Sequence, residues 1–248
     1  MGIIAVYSIK GGVGKTAAAV NLAHLAAQEG GRTLLCDLDA QGSSSYYFRV
    51  RPAKKYDSSS LLKGGREIED NIRGTDFANL DLLPADLSYR HLDIELEGLK
   101  KSRKRLRRVL EPLEGVYDWI VLDCPPNITL LAENIFRAAD LILVPFVPTT
   151  LSQLARAQLL DFLAGQELAQ DKVLFFFSLV ERRKRMHQEV MAGFTGDAAV
   201  LNSGIPYLAD VERMGIFRQP VTAALPDSPA AEAYRALWRE LRQRLPQD

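Results

Sequence analysis

Short apolar runs alternate with polar or glycine-rich turns and longer stretches of helical periodicity along this chain. Residues 3–7, 33–36, 80–83, 119–122, 141–147 and 173–180 read as strands, most of them apolar throughout. Helical patterns occupy 16–30, 88–110, 130–138, 151–164, 184–194 and 230–245. A strand that is apolar at every position is covered on both faces, and strands separated by helices pair in parallel. The pattern therefore predicts an α/β fold, a mostly parallel twisted sheet with helices on both faces. Residues 49–65 and 218–229 read as loops, neither long enough for a linker, so one domain is expected over 1–248.

Composition narrows the chemistry. The 248 residues carry 31 Lys plus Arg against 31 Asp plus Glu, so bulk charge attracts neither nucleic acid nor anionic lipid, and such binding needs a local patch. Two cysteines, Cys36 and Cys124, and three scattered histidines make neither a disulfide framework nor a His/Cys metal cage. No segment reads as a targeting signal or a spanning helix, so the expected address is cytoplasmic.

The segment with the most chemical content follows the first strand: Lys10, Gly11, Gly12, Val13, Gly14, Lys15, Thr16, then a helix starting near Ala17. Glycines let the backbone wrap phosphate oxygens and turn N–H groups toward them, and the helix N-terminus adds partial positive charge. Lys15 is placed to reach the β- and γ-phosphates of ATP, and the Thr16 hydroxyl suits Mg2+. Ile9 stands where the strict pattern has glycine, and Lys10 is a second lysine within the loop.

Those two lysines resemble the signature of the deviant Walker A ATPases, the P-loop family of ParA and Soj, MinD and the nitrogenase iron protein. The resemblance extends to Asp37-Leu38-Asp39-Ala40-Gln41, similar to switch I, and to the run ending Asp123-Cys124-Pro125-Pro126, similar to Walker B and switch II. It implies that Lys10 reaches across a nucleotide-sandwich homodimer, that Asp39 orients the attacking water near the metal with support from Asp37, and that Asp123 holds the magnesium shell. Ala17 replaces the family's usual threonine and Ala40 its usual proline.

Within the family, a nitrogenase-like cluster lacks its cysteine ligands, since Cys36 and Cys124 read as small buried thiols. A MinD-like membrane helix is the alternative reading of 230–245, where Tyr234, Leu237, Trp238, Leu241 and Leu245 share a stripe; packing on the domain is expected instead. A carboxylate-activating synthetase is a further alternative, against which Lys10 argues. The ParA-like reading implies a slow, partner-stimulated ATPase, nucleoid-associated, holding nonspecific DNA as an ATP-bound dimer with a ParB-like adaptor and moving a plasmid, chromosome or large protein cargo. For DNA the sequence offers Arg182, Arg183, Lys184 and Arg185, extended by Arg213 and Arg218; Lys100 to Arg108 is a second basic run, equally readable as a solvated face. The first strand begins at Ile3 without a preceding helix-turn-helix, so sequence-independent binding is expected.

Overall fold

A computed structural model describes residues 2–245. The strands are β1 (Gly2–Val6), β2 (Thr33–Asp37), β3 (Arg73–Gly74), β4 (Leu80–Leu83), β5 (Trp119–Asp123), β6 (Leu141–Phe146) and β7 (Val173–Phe177). They form one sheet in the order β3-β4-β2-β5-β1-β6-β7, parallel throughout except for the short edge pair β3–β4. The helices are α1 (Lys15–Gln28), α2 (Ser43–Tyr47), α3 (Ser58–Lys63), α4 (Arg66–Glu69), α5 (Leu92–Glu97), α6 (Arg105–Leu110), α7 (Leu130–Ala138), α8 (Thr150–Gly165), α9 (Arg185–Ala192), α10 (Ala209–Glu212), α11 (Met214–Phe217), α12 (Val221–Ala224) and α13 (Pro229–Arg244).

Side chains alternate across each strand, so one run feeds two cores. Ile3, Ala5 and Tyr7 face a cluster containing Leu92, Leu106, Ile135 and Phe136, with the Tyr7 ring edge-on to Phe136 at 4.6 Å between centroids. Ile4 and Val6 face the opposite cluster, built with Leu22, Leu25, Leu237 and Trp238 from α1 and α13. The stripe on α13 is spent there: Tyr234, Leu237, Trp238 and Leu241 are at most 2% exposed, which leaves no apolar face of that helix for lipid. Each such burial contributes roughly 2 kcal/mol. No helix among the described residues is long and apolar enough to cross a membrane.

The departures from the sequence pattern have local causes. The expected long helix over 88–110 is broken into a 3-10 turn at Leu87–His91, α5, a turn at Ser102–Lys104 and α6. Its apolar stripe is discontinuous, Gly98 closes α5, and Lys101 takes a left-handed φ of 60°. The last strand stops at Phe177 instead of continuing to 180, because Leu179 turns left-handed (φ 53°); Val180 then forms an isolated bridge with Pro206. The expected loop at 49–65 contains α3, capped by Asp57, whose Oδ1 accepts from the Ser60 N–H at 2.9 Å.

Topology sets up the site. β5 lies between β1 and β2, in register with both: Val6 and Asp37 each stand opposite Asp123. The loops leaving β1, β2 and β5 therefore emerge side by side at the carboxyl ends of the parallel strands.

Candidate nucleotide site

The loop from Lys10 to Gly14 leaves β1 and delivers Lys15 into the first turn of α1. Gly14 sits at φ 91°, and a Cβ there would lie 2.9 Å from the Ser178 hydroxyl oxygen, so the position admits only glycine on two counts. Gly11 and Gly12 are exposed, Val13 anchors the loop in the interior, and Thr16 and Ala17 are half-buried at the helix start. Lys15 is 7% exposed, and its ammonium donates to the Lys10 carbonyl at 3.1 Å. Burial lowers its pKa, while the charges of Asp123 and Asp39 act the other way. Lys10 is half-buried, its N–H donating to the Ser8 hydroxyl at 3.3 Å.

Two acids end adjacent strands and are fully buried, Asp37 on β2 and Asp123 on β5. Burial drives both carboxyl pKa values upward, and at Asp37 the charge of Asp123 adds to the effect. Hydroxyl and amide donors oppose this. Ser44 Oγ donates to Asp123 Oδ2 at 2.8 Å, and Ser45 donates to Asp37 Oδ2 twice, from N at 2.8 Å and from Oγ at 2.7 Å. The other oxygen of each acid, Asp37 Oδ1 and Asp123 Oδ1, is buried without a partner. An orphaned carboxylate oxygen is costly unless something comes to it. The donor set fits magnesium, a hard cation that takes oxygen ligands and retains several waters: Asp123, the Thr16 hydroxyl and nucleotide phosphates would hold it. Among the described residues no group of three or more His, Cys, Asp or Glu side chains is placed to hold a metal ion by itself. Asp39 is half-buried and close enough to this pair for its charge to raise both carboxyl pKa values; its Oδ1 accepts from the Gln41 N–H at 3.0 Å.

These features match relatives across most of the chain. Residues 1–173 match the family described as the AAA domain. The chain is 30% identical over 251 residues to the chromosome partitioning protein ParA of Myxococcus xanthus, spanning 98% of this chain and 88% of that one. This chain belongs to the ParA/Soj family of P-loop partition ATPases. It is also 37% identical over 147 residues to the sporulation initiation inhibitor protein Soj of Bacillus subtilis, spanning 58% of this chain and 57% of that one. The fold of this ParA/Soj member superposes on a plasmid partition protein of Borrelia burgdorferi bound to AMPPNP with a TM-score of 0.87, at 22% identity, covering 98% and 99% of the two chains.

The remaining sequence candidates lie elsewhere on the surface. Arg182, Arg183, Lys184 and Arg185 are all exposed, between the Val180 bridge and α9. Lys184 pairs with Glu181, and Arg185 with Glu189 at 2.7 Å; among the described residues the guanidinium groups of Arg182 and Arg183 have no ion-pair partner. Arg213 is exposed, lies over the Phe217 ring at 5.0 Å and stands 3.9 Å from Asp210. Arg218 is half-buried: its guanidinium stacks 4.4 Å from the Tyr46 ring centroid and its Nε donates to the Tyr46 carbonyl at 3.1 Å. The other basic run is partly consumed internally, with Arg103 on Glu133 at 3.5 Å, Arg107 on Glu114 at 2.7 Å and Arg105 on the Leu62 and Lys63 carbonyls. Cys36 and Cys124 are buried free thiols.

Sequence reasoning passed over α2. Ser44, Ser45 and Tyr46 hold Asp123, Asp37 and Arg218 in turn. The available signal was the run of three serines directly after Gly42, donors that a helix start beside buried acids would use.

Proposed function

We propose that this ParA/Soj family member binds Mg2+·ATP, closes as a homodimer around the nucleotide, holds DNA without sequence preference in that state, and opens on slow hydrolysis stimulated by an adaptor protein. Its cargo would be a plasmid, a chromosome or a large protein assembly, and its working location the cytoplasmic nucleoid. The observation that carries the reading is the pair of orphaned, buried carboxylate oxygens at the ends of β2 and β5, close to the Lys15 ammonium, a polar site that a cation and phosphate would complete.

The division of labour follows from the residues. Loop N–H groups from Gly11 to Ala17 and the Lys15 ammonium cradle the phosphates. Magnesium, held by Asp123 and the Thr16 hydroxyl, would supply positive charge against the charge developing on the phosphates. Asp39, whose charge acts on both buried acids, would orient the attacking water. Lys10 is half-buried, and its amine would meet the phosphates held by a second chain. Lysine from a neighbour neutralises triphosphate charge only while ATP is present, which makes the nucleotide part of the joint.

DNA would meet Arg182 to Arg185, extended by Arg213 and Arg218. Doubling a weak patch by dimerisation raises its effective concentration, so ATP gates retention. A membrane-cycling role is disfavoured by the burial of the α13 stripe. One co-sedimentation series tests the proposal: DNA, then anionic liposomes, each with ATP, ADP or no nucleotide. Retention on DNA in ATP alone is expected; retention on liposomes alone would overturn the DNA reading.

A further inference from the structure

A carboxylate presents two equivalent oxygens and rotates freely about its Cβ–Cγ bond unless a donor distinguishes them. At this site each acid has a serine donor of its own, and the Thr16 hydroxyl also lies close enough to Asp123 to favour its charged form. Ser44, 0% exposed, bonds Asp123 Oδ2, and Ser45, 6% exposed, bonds Asp37 Oδ2 through both its amide and its hydroxyl. In both acids the oxygen left over is Oδ1, buried and unpartnered. Ser45 is itself fixed, since its Oγ accepts from the Ala85 N–H at 3.0 Å just beyond β4. The two serines are consecutive in α2, and the two acids are directly opposed on β2 and β5. One short helix therefore sets the orientation of both carboxylates at once.

We propose that Ser44 and Ser45 are positioning residues for the metal side of this site: Ser44 turns Asp123 so that its free oxygen is presented for cation binding, and Ser45 fixes Asp37 beside it. The inference rests on the magnesium reading given above and adds the residues that prepare the site before the metal arrives. Two buried like charges on neighbouring strands repel and resist desolvation. Charge-assisted bonds from the serines offset part of that cost while leaving one oxygen of each acid unfilled. Without the hydroxyl, Asp123 can rotate either oxygen inward and the metal must order the carboxylate itself, which weakens metal binding. Neither serine is needed to hold phosphate, which is the work of the loop.

The test separates metal-dependent from metal-independent nucleotide binding. AMPPNP affinity is measured calorimetrically with magnesium and again with EDTA, for the wild type, Ser44→Ala and Ser45→Ala. The wild type is expected to bind more tightly with magnesium. Ser44→Ala should lose at least fivefold of that enhancement while its affinity in EDTA stays within twofold, and Ser44→Thr, which keeps the hydroxyl, should recover most of it. Ser45→Ala retains its amide bond to Asp37 and should show a smaller loss. An undiminished enhancement in Ser44→Ala overturns the assignment, as does an equal loss in magnesium and in EDTA, which would mean general damage. A wild type with no magnesium enhancement sinks the magnesium reading and this inference with it, an outcome distinct from either.

Discussion

The nucleotide end of this ATPase and its arginine-rich surface place charge by opposite rules. At the carboxyl ends of β2 and β5, Asp37 and Asp123 are fully buried and each is gripped by a named serine. At 182–185 the charges are exposed, and Arg182 and Arg183 have no ion-pair partner among the described residues. Burial makes position exact and costly, which suits a site that must meet a γ-phosphate and one metal ion. Exposure keeps charge cheap and mobile, which suits contact with a phosphate backbone of any sequence. The run at 100–108 stands between the two, exposed yet partly consumed by Glu133, Glu114 and main-chain carbonyls.

Substitutions can break that contrast. The largest effect is expected at the buried end: Lys15→Ala removes the ammonium proposed to meet the β- and γ-phosphates and should weaken ATP binding by about 10^2- to 10^3-fold, read by calorimetry. Unchanged affinity would mean that the loop does not hold phosphate. Asp39→Ala should bind normally but turn over about 10^2-fold more slowly, the scale of a lost water-orienting group, measured as phosphate release. At the exposed end, Arg182→Glu with Arg183→Glu should lower DNA retention in ATP by about tenfold or more at moderate salt and flatten its salt dependence, leaving dimerisation intact. Reversing Lys101 and Lys104 should change retention less than twofold; a larger loss there would exchange the roles of the two basic runs.

A smaller, pH-dependent effect tests the interior behind the loop. His24 on α1 lies 2.8 Å from the Thr222 hydroxyl, inside a network in which Asn21 Oδ1 accepts from the Thr222 N–H and hydroxyl, both at 3.0 Å. Burial pushes the imidazole down to about 4, against 6.5 in the unfolded chain. The folded state therefore holds His24 neutral. Its contribution is complete above pH 6.5 and is lost as pH falls toward 4, because the unfolded chain takes up the proton first. Between pH 6.5 and 5 this removes about 2 kcal/mol of stability. Urea unfolding of the wild type and of His24→Gln at both pH values should show a shallower decline in the variant; equal slopes would place the acid sensitivity elsewhere.

What the sequence disclosed depended on how local each feature is. The glycine- and lysine-rich loop and the α13 stripe are contiguous or periodic, so side-chain type and spacing were enough, whereas the acids closing β2 and β5 stood out through resemblance to the family's switch I and Walker B motifs. The end of β7 was misplaced by three residues because a left-handed Leu179 has no mark in an apolar run. The helix expected at 88–110 failed for a related reason: leucines at roughly helical spacing survive breaks at Gly98 and Lys101. The contact of Arg218 with Tyr46 joins residues 172 positions apart and exists only through the tertiary fold. Arg49 belongs to it as well, donating to the Arg218 carbonyl at 2.6 Å, and both arginines adopt left-handed φ angles, 57° and 51°. Such a mutual hold on strained backbone is invisible to composition.

The central claim is that ATP joins two copies of this chain through Lys10. Light scattering with saturating Mg2+·AMPPNP measures it directly, on the wild type and on Lys10→Ala. The account predicts twice the mass of one chain for the wild type and a single-chain mass for the variant, with AMPPNP affinity within about threefold in both. A wild type that stays single-chain under these conditions, or a variant that doubles just as readily, contradicts it.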